Sequence, residues 1–247
     1  MARASWPPGF KRFTILATTF GDGLPEPVGI RFGKHQYMTK VFVDKTFKKT
    51  LEGTVIYLIR HATPLIDYGR CGAVSAKVLL DEYNQTSSID EAEIADFLSR
   101  AQLSGPLMMP GLNIISSPIN RAYATACRLF DAGRIRQDHR LKEFDLRLGR
   151  VPLLKMGLRQ WFALHRVLWL MGISLGAASR RSEHLRAVEV ADELYTACTT
   201  TGETTVVVSH GMFLRTVRKT LQRQGMQFRT VYRSGCFTVE ALAPGKE

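Results

Sequence analysis

From Thr54 onward, apolar residues fall in short solid blocks separated by stretches of helical spacing. Val55-Ile56-Tyr57-Leu58-Ile59 is a continuous β-rich run, the pattern of a strand buried on both faces. Asn113-Ile114-Ile115 and Thr205-Val206-Val207-Val208 repeat that pattern. Between them, Ser88 followed three residues later by Glu91 reads as a capping box opening a helix through Ile94, Phe97, Leu98 and Ala101. Ser117-Pro118 supplies an N-cap and a proline at the first helical position, for a helix running to about Phe130. Gln160 to Met171 is apolar on most of its surface, so it is expected to be buried or to cover something. Ser182 to Cys198 reads as an amphipathic helix with Leu185, Val188, Ala191, Leu194 and Cys198 on one side. Met212 to Gln224 continues as a helix after the third strand, and Cys236 to Leu242 alternates like a last, edge-like strand. Strands alternating with helices predict an α/β fold with a largely parallel sheet.

Residues 1–53 break this order. They carry nine Lys or Arg residues against four acids, with Pro and Gly scattered from Trp6 to Gly33 and no sustained helical period. They are expected to form an N-terminal extension, poorly ordered, ahead of one domain over 54–247. Across the 247 residues, 45% are apolar and 23% charged, enough to bury a core. A net charge of +12 favours anionic partners, but no Lys/Arg-rich run or RNA-binding aromatic signature makes a nucleic-acid footprint. Cys71, Cys127, Cys198 and Cys236 are widely spaced, which fits free thiols in a reducing compartment rather than a zinc site or disulfide framework. No apolar run approaches the ~20 residues that span a bilayer, and the first residues lack a signal-peptide core. A cytoplasmic protein without a membrane partner is therefore expected.

The chemistry gathers at predicted strand ends, where parallel α/β sheets bind ligands. The first strand ends in Arg60-His61. The second ends in Ser116-Ser117-Pro118, with Arg121 one turn into the next helix, and the third ends in Ser209-His210-Gly211. Two arginines and two histidines beside helix N-termini suit a phosphoryl group. Arg60 and Arg121 can hold phosphate oxygens and keep His61 neutral and nucleophilic. His210 can donate to the equatorial oxygens as charge redistributes. Glu143, in Leu141-Lys142-Glu143, is the candidate proton donor to the leaving oxygen. Burial would raise its pKa and the arginines would lower it, and the residues alone leave both open. The remaining histidines, His35, His139, His165 and His184, read as surface or structural, and Trp161 and Trp169 as packing.

Val55 to His61, Ser116-Ser117-Pro118-x-x-Arg121-Ala122-x-x-Thr125-Ala126, Leu141-x-Glu143 and Val206 to Gly211 stand in the order typical of the histidine phosphatase superfamily, also called phosphoglycerate mutase-like. The resemblance covers Thr54 to Leu242. It implies a three-layer α/β/α sandwich with a mostly parallel sheet and a helical cap insertion, approximately residues 144–181. It further implies His61 as nucleophile, Arg60, Arg121 and His210 as the phosphate pocket, Glu143 as general acid and then base, a small phosphorylated substrate, and no metal or cofactor. Trp161, Arg166, Trp169, Gly172 and Arg186-Ala187 also resemble a bacterial branch of unassigned phosphoglycerate mutase family proteins. Departures are Ala62 and Thr63 where the family usually has Gly and often Glu, Asp67 near the asparagine of the mutases, and Phe144-Asp145-Leu146-Arg147 for an aromatic-rich run. These weigh more against mutase activity than against hydrolysis. The expected function is a phosphomonoester hydrolase acting through a phosphohistidine, with a phosphoglycerate mutase-type isomerase or a catalytically silent phosphate-binding protein as alternatives.

Overall fold

Neighbouring residues of the central strands point to opposite faces of one sheet, and helices cover both. The computed structural model describes residues 54–149, 154–173 and 175–245; the expected extension over 1–53 lies outside the described residues. The six-stranded sheet takes the order β4 (Ile135–Gln137), β3 (Asn113–Ser116), β6 (Thr205–Ser209), β1 (Ile56–Arg60), β8 (Phe237–Pro244) and β7 (Met226–Ser234). The first four are mutually parallel, with Ile56 opposite Thr205 and Arg60 opposite Ser209, while β8 runs antiparallel to both β1 and β7.

On one face Tyr57, Ile59, Val206 and Val208 pack with Ile94 and Phe97 of α2 (Glu91–Ser99) and Ala126 and Leu129 of α3 (Asn120–Leu129). On the other, Ile56, Leu58 and Val207 meet Ala187, Val190 and Leu194 of α5 (Arg180–Thr196) and Phe213, Val217 and Leu221 of α6 (Gly211–Arg223). The result is the α/β/α sandwich with a mostly parallel sheet. A second, two-stranded sheet joins β2 (Arg70–Gly72) to β5 (Lys155–Gly157). With α1 (Ala73–Gln85) and α4 (Leu158–Leu170) it surrounds a small cluster of Ala76, Leu158 and Trp161. β5 and α4 fall within the span expected to form the cap, and β2 and α1 pack onto them.

Several local expectations give way. The cap of α2 is Asp90, whose side chain accepts from Ala92 N, because Ile89 is held in a bridge with Pro64. Glu91 binds Arg128 instead of closing a capping box with Ser88. That helix ends at Ser99, before Ala101, and Leu98 is exposed. Ser117 and Pro118 precede α3 rather than cap it: the helix starts at Asn120, with Ile119 as cap residue and no side-chain cap bond. On α5 the buried stripe is Glu183, Ala187, Val190, Ala191 and Leu194, while Leu185 is exposed. The last strand is not an edge; β7, absent from the sequence reading, covers it and is itself the edge. Trp161 and Trp169 are buried as expected, and the four cysteines are free thiols. Among the described residues no helix is long and apolar enough to cross a membrane.

Candidate functional site

The carboxyl ends of β1, β3 and β6 lie side by side because those strands are neighbours in the sheet, and their backbones lock the following residues in place. His61 N donates to Ser209 O (3.1 Å) and Ser117 N to Val208 O (2.9 Å). His61 is buried, and its Nδ1 lies 2.8 Å from Ala62 O. A carbonyl can only accept, so Nδ1 carries the proton and Nε2 presents a lone pair. That lone pair accepts from Arg121 Nε at 3.2 Å. Burial foremost, then the charges of Arg121 and Arg60, pushes the His61 pKa well below the ordinary histidine value, against the opposing bond to Ala62 O.

His210, at the N-cap of α6, is also buried, with its ring centroid 5.1 Å from that of His61 and Nε2 2.9 Å from Ser117 Oγ. Burial, then Arg121, His61 and Arg60, holds its pKa well below the usual range. Ser117 thus has its hydroxyl in the site rather than at a helix cap, a role its Ser-Ser-Pro context concealed. Arg121 is itself buried; Nη1 donates to Tyr83 O (2.9 Å) and Asn84 Oδ1 (3.3 Å), and its guanidinium lies 4.1 Å from the Tyr83 ring centroid. Arg60 ends β1 with Nη2 3.7 Å from Cys236 Sγ. A Cβ at position 211 would come within 3.0 Å of Arg60 Nε, so glycine there lets the guanidinium lie against the start of α6.

Glu143 sits at that same helix start. Its Oε1 accepts from Phe144 N (2.9 Å) and Phe213 N (3.1 Å), and its Oε2 from Met212 N (3.2 Å), so a carboxylate from another segment caps α6 and complements its dipole. Ser209 Oγ donates to Leu141 O at 2.6 Å, which ties the end of β6 to the Glu143 segment. The carbonyls beside Glu143 are gripped from two helices: Arg166 of α4 donates to Phe144 O and Asp145 O, and Arg186 of α5 to Arg140 O and Lys142 O.

A cavity of about 770 Å³ opens here, with Arg60, Arg121 and Glu143 in its wall; His61 and His210 do not line it, but His61 lies against Arg121 and His210 beside His61. All five residues expected from the sequence therefore meet at one place. Lys142, Arg159, Arg166, Arg186 and Arg233 add cations to the wall against Glu143, Asp145 and Glu183, a surplus of positive charge that favours an anion. Tyr83 and Phe162, 5.2 Å apart edge to face, supply an apolar wall from α1 and α4. Neither they nor Asn84 carry a local sequence signal, since each reaches the site only through tertiary packing. His139, expected at the surface, is exposed and lines the rim; His165 is structural, its Nε2 accepting from Gly149 N. Among the described residues no group of three or more His, Cys, Asp or Glu side chains could hold a metal ion.

The model of the histidine phosphatase superfamily (branch 1) matches residues 108–239, which include Arg121, Glu143 and His210 and begin after His61. Among solved structures, the chain is similar to a mycobacterial glucosyl-3-phosphoglycerate phosphatase, 21% identical over 69% of this chain and 80% of that one, TM-score 0.45. It is also similar to a phosphoglycerate mutase from Bacillus anthracis (14% identical, 78% and 90% covered, TM-score 0.46). A phosphoserine phosphatase from Entamoeba histolytica is similar at 16% identity, 78% and 98% covered, TM-score 0.39. No curated protein matches.

Proposed function

Because the chain belongs to the histidine phosphatase superfamily and so carries out phosphoryl transfer of the phosphatase or mutase type, we propose that it hydrolyses a small phosphomonoester through a phosphohistidine on His61. The observation that carries this reading is the state of His61: a neutral ring whose Nδ1 proton is tied to Ala62 O, leaving Nε2 as the nucleophile between two arginines. The substrate phosphate takes the Arg121 Nε donor that now holds Nε2, and Arg60 binds a second oxygen by charge-assisted bonds. Nε2 attacks phosphorus, the bond to the leaving oxygen breaks, and Glu143 protonates that oxygen. Its Oε2, which accepts one backbone bond against two at Oε1, is the oxygen with more room to pass a proton. His210 donates to the equatorial oxygens as negative charge moves onto them. Glu143 then takes a proton from water as the water oxygen attacks phosphorus and the P–N bond breaks, releasing phosphate and restoring neutral His61.

The test is p-nitrophenyl phosphate hydrolysis in EDTA by wild type and His61→Ala, with rapid-quench trapping of labelled protein. Turnover that resists EDTA, falls by at least about 10⁴-fold in the variant and accompanies an acid-labile phosphoprotein is expected. Labelling without turnover would move the reading to a mutase or a selective phosphatase. Neither turnover nor labelling would leave a silent phosphate-binding protein.

A further inference from the structure

Thr63, two residues beyond His61, and the tip of the β7–β8 hairpin, Arg233 to Cys236, both line the cavity although they lie far apart in sequence. What joins them is the carboxylate of Glu93 on α2, which is buried and does not itself line the cavity. Its Oε2 accepts from Thr63 N (2.9 Å) and Phe237 N (3.2 Å), and its Oε1 accepts from the Thr63 hydroxyl (2.6 Å). The Thr63 Oγ1 in turn accepts from Cys236 N at 3.0 Å, so one hydroxyl both donates and accepts in a chain from α2 to the hairpin. The hairpin approaches so closely that a Cβ at position 235 would collide with Glu93 Oε1 and come within 2.9 Å of Thr63 Oγ1. Gly235 also has φ +52, so both conformation and space demand glycine there. In the hairpin turn, Cys236 Sγ is the atom against Arg60 Nη2.

We propose that Glu93 and Thr63 form a clamp that holds the hairpin tip against the loop after His61, fixing that wall of the anion pocket and, through Cys236, the guanidinium of Arg60. Glu93 is thereby a positioning residue for phosphate binding. Thr63, a departure from the usual family residue, is part of the pocket's construction, because a threonine hydroxyl at this position satisfies two partners at once. The inference rests on reading the cavity as a phosphate pocket, but it does not require turnover.

The experiment measures orthovanadate affinity by calorimetry, alongside melting temperature, for wild type, Glu93→Gln, Thr63→Val, Thr63→Ser and the Glu93→Gln/Thr63→Val pair. Glutamine keeps an acceptor for the two backbone N–H groups but puts a donor where Oε1 accepts the Thr63 hydroxyl, and valine removes the hydroxyl at constant shape. Each single variant should bind orthovanadate about tenfold more weakly. Thr63→Ser should stay within about twofold of wild type, and the pair should be no worse than the weaker single variant, because both changes open one clamp. Where wild type turns over p-nitrophenyl phosphate, KM should rise with kcat little changed. Unchanged orthovanadate affinity in folded variants that lose only melting temperature would overturn the clamp and leave a purely structural network. If Glu93→Gln does not fold, the Thr63→Val and Thr63→Ser contrast decides alone. Failure of wild type to bind orthovanadate would overturn the phosphate-pocket reading and the clamp with it. Binding without turnover would instead count against hydrolysis and leave the clamp to be judged by affinity.

Discussion

The end of the main sheet and the cap unit face the same cavity but are built on different amounts of core. Each face of the sheet buries a cluster of eighteen apolar side chains, which includes residues of β1 and β6, the strands that deliver Arg60, His61 and His210. The unit of β2, β5, α1 and α4 has three buried residues at its centre, Ala76, Leu158 and Trp161, ringed by partly buried ones. Yet that thin unit contributes Tyr83, Arg159, Phe162 and Arg166 to the wall. Local opening costs least where few apolar contacts are broken, so the two halves differ in the freedom allowed to their side chains. On the proposed mechanism, groups that meet the phosphoryl transfer stand on the stiff half, and those that meet the rest of the substrate stand on the half that can adjust.

Among the changes that test this contrast, the largest expected effect concerns Arg121, which breaks the rule that the stiff half is simply stable. It is 1% exposed, and no carboxylate pairs with it among the described residues. Its charge is held by His61, two oxygens from α1 and the Tyr83 ring. Such a group is costly to bury. Arg121→Met is expected to lower kcat/KM about 10³-fold, near the loss for removing a group that stabilises transition-state charge, while chemical denaturation gives a stability equal to or above wild type. A variant that loses activity and stability together would mean that Arg121 is structural first.

Trp161→Ala probes the other half. The indole is fully buried, and Nε1 donates to Cys71 O at 3.0 Å, joining α4 to β2. Removing it costs about 3 kcal/mol, the low end for a buried Trp, because a small cluster on a thin unit collapses readily. Hydrogen exchange should quicken in α1 and α4 and stay unchanged in β1 and β6, with p-nitrophenyl phosphate turnover reduced less than about tenfold. Equal loss of protection in the sheet would show that the two halves unfold as one.

The same contrast governs what the sequence reveals. β1, β3 and β6 are buried on both faces, so each appears as an unbroken apolar block. α1 was invisible because it buries only Ala76 and Leu80, while Val74 and Val78 point outward and spoil its helical period. β7 buries Met226 and Tyr232 but carries a bulge between Thr230 and Tyr232, which shifts its alternation. Two local signals were real but misplaced: Asp90 caps α2 in place of Ser88, and Ser117 meets His210. Arg60, His61, Arg121, Glu143 and His210 could be picked out because each follows a readable strand or motif. Tyr83, Asn84 and Glu93 could not, since each acts through a partner more than 29 residues away in the chain, such as Thr63 for Glu93 and Arg121 for Tyr83.

A smaller effect separates the halves by acidity. His61 and His210 are buried and neutral at the stiff end, with pKa values held well below the ordinary histidine value. In the unfolded chain each would bind a proton near pH 6.5. Above that pH neither state takes up the proton and stability is unaffected. As pH falls below it, the unfolded state gains protons that the folded state refuses, so stability declines until the folded pKa is reached. Each histidine contributes a slope of at most about 1.4 kcal/mol per pH unit, and mutual repulsion keeps the folded form from relieving both at once. Urea unfolding between pH 7.5 and 5 should show this decline, and His61→Asn should remove about half of the slope. On the proposed mechanism, the phosphohistidine should still form rapidly just below pH 6.5, because His61 stays unprotonated there. An unchanged slope in His61→Asn would move the acid-sensitive groups away from His61, and with them the claim that the end of the sheet carries buried sites that refuse protons.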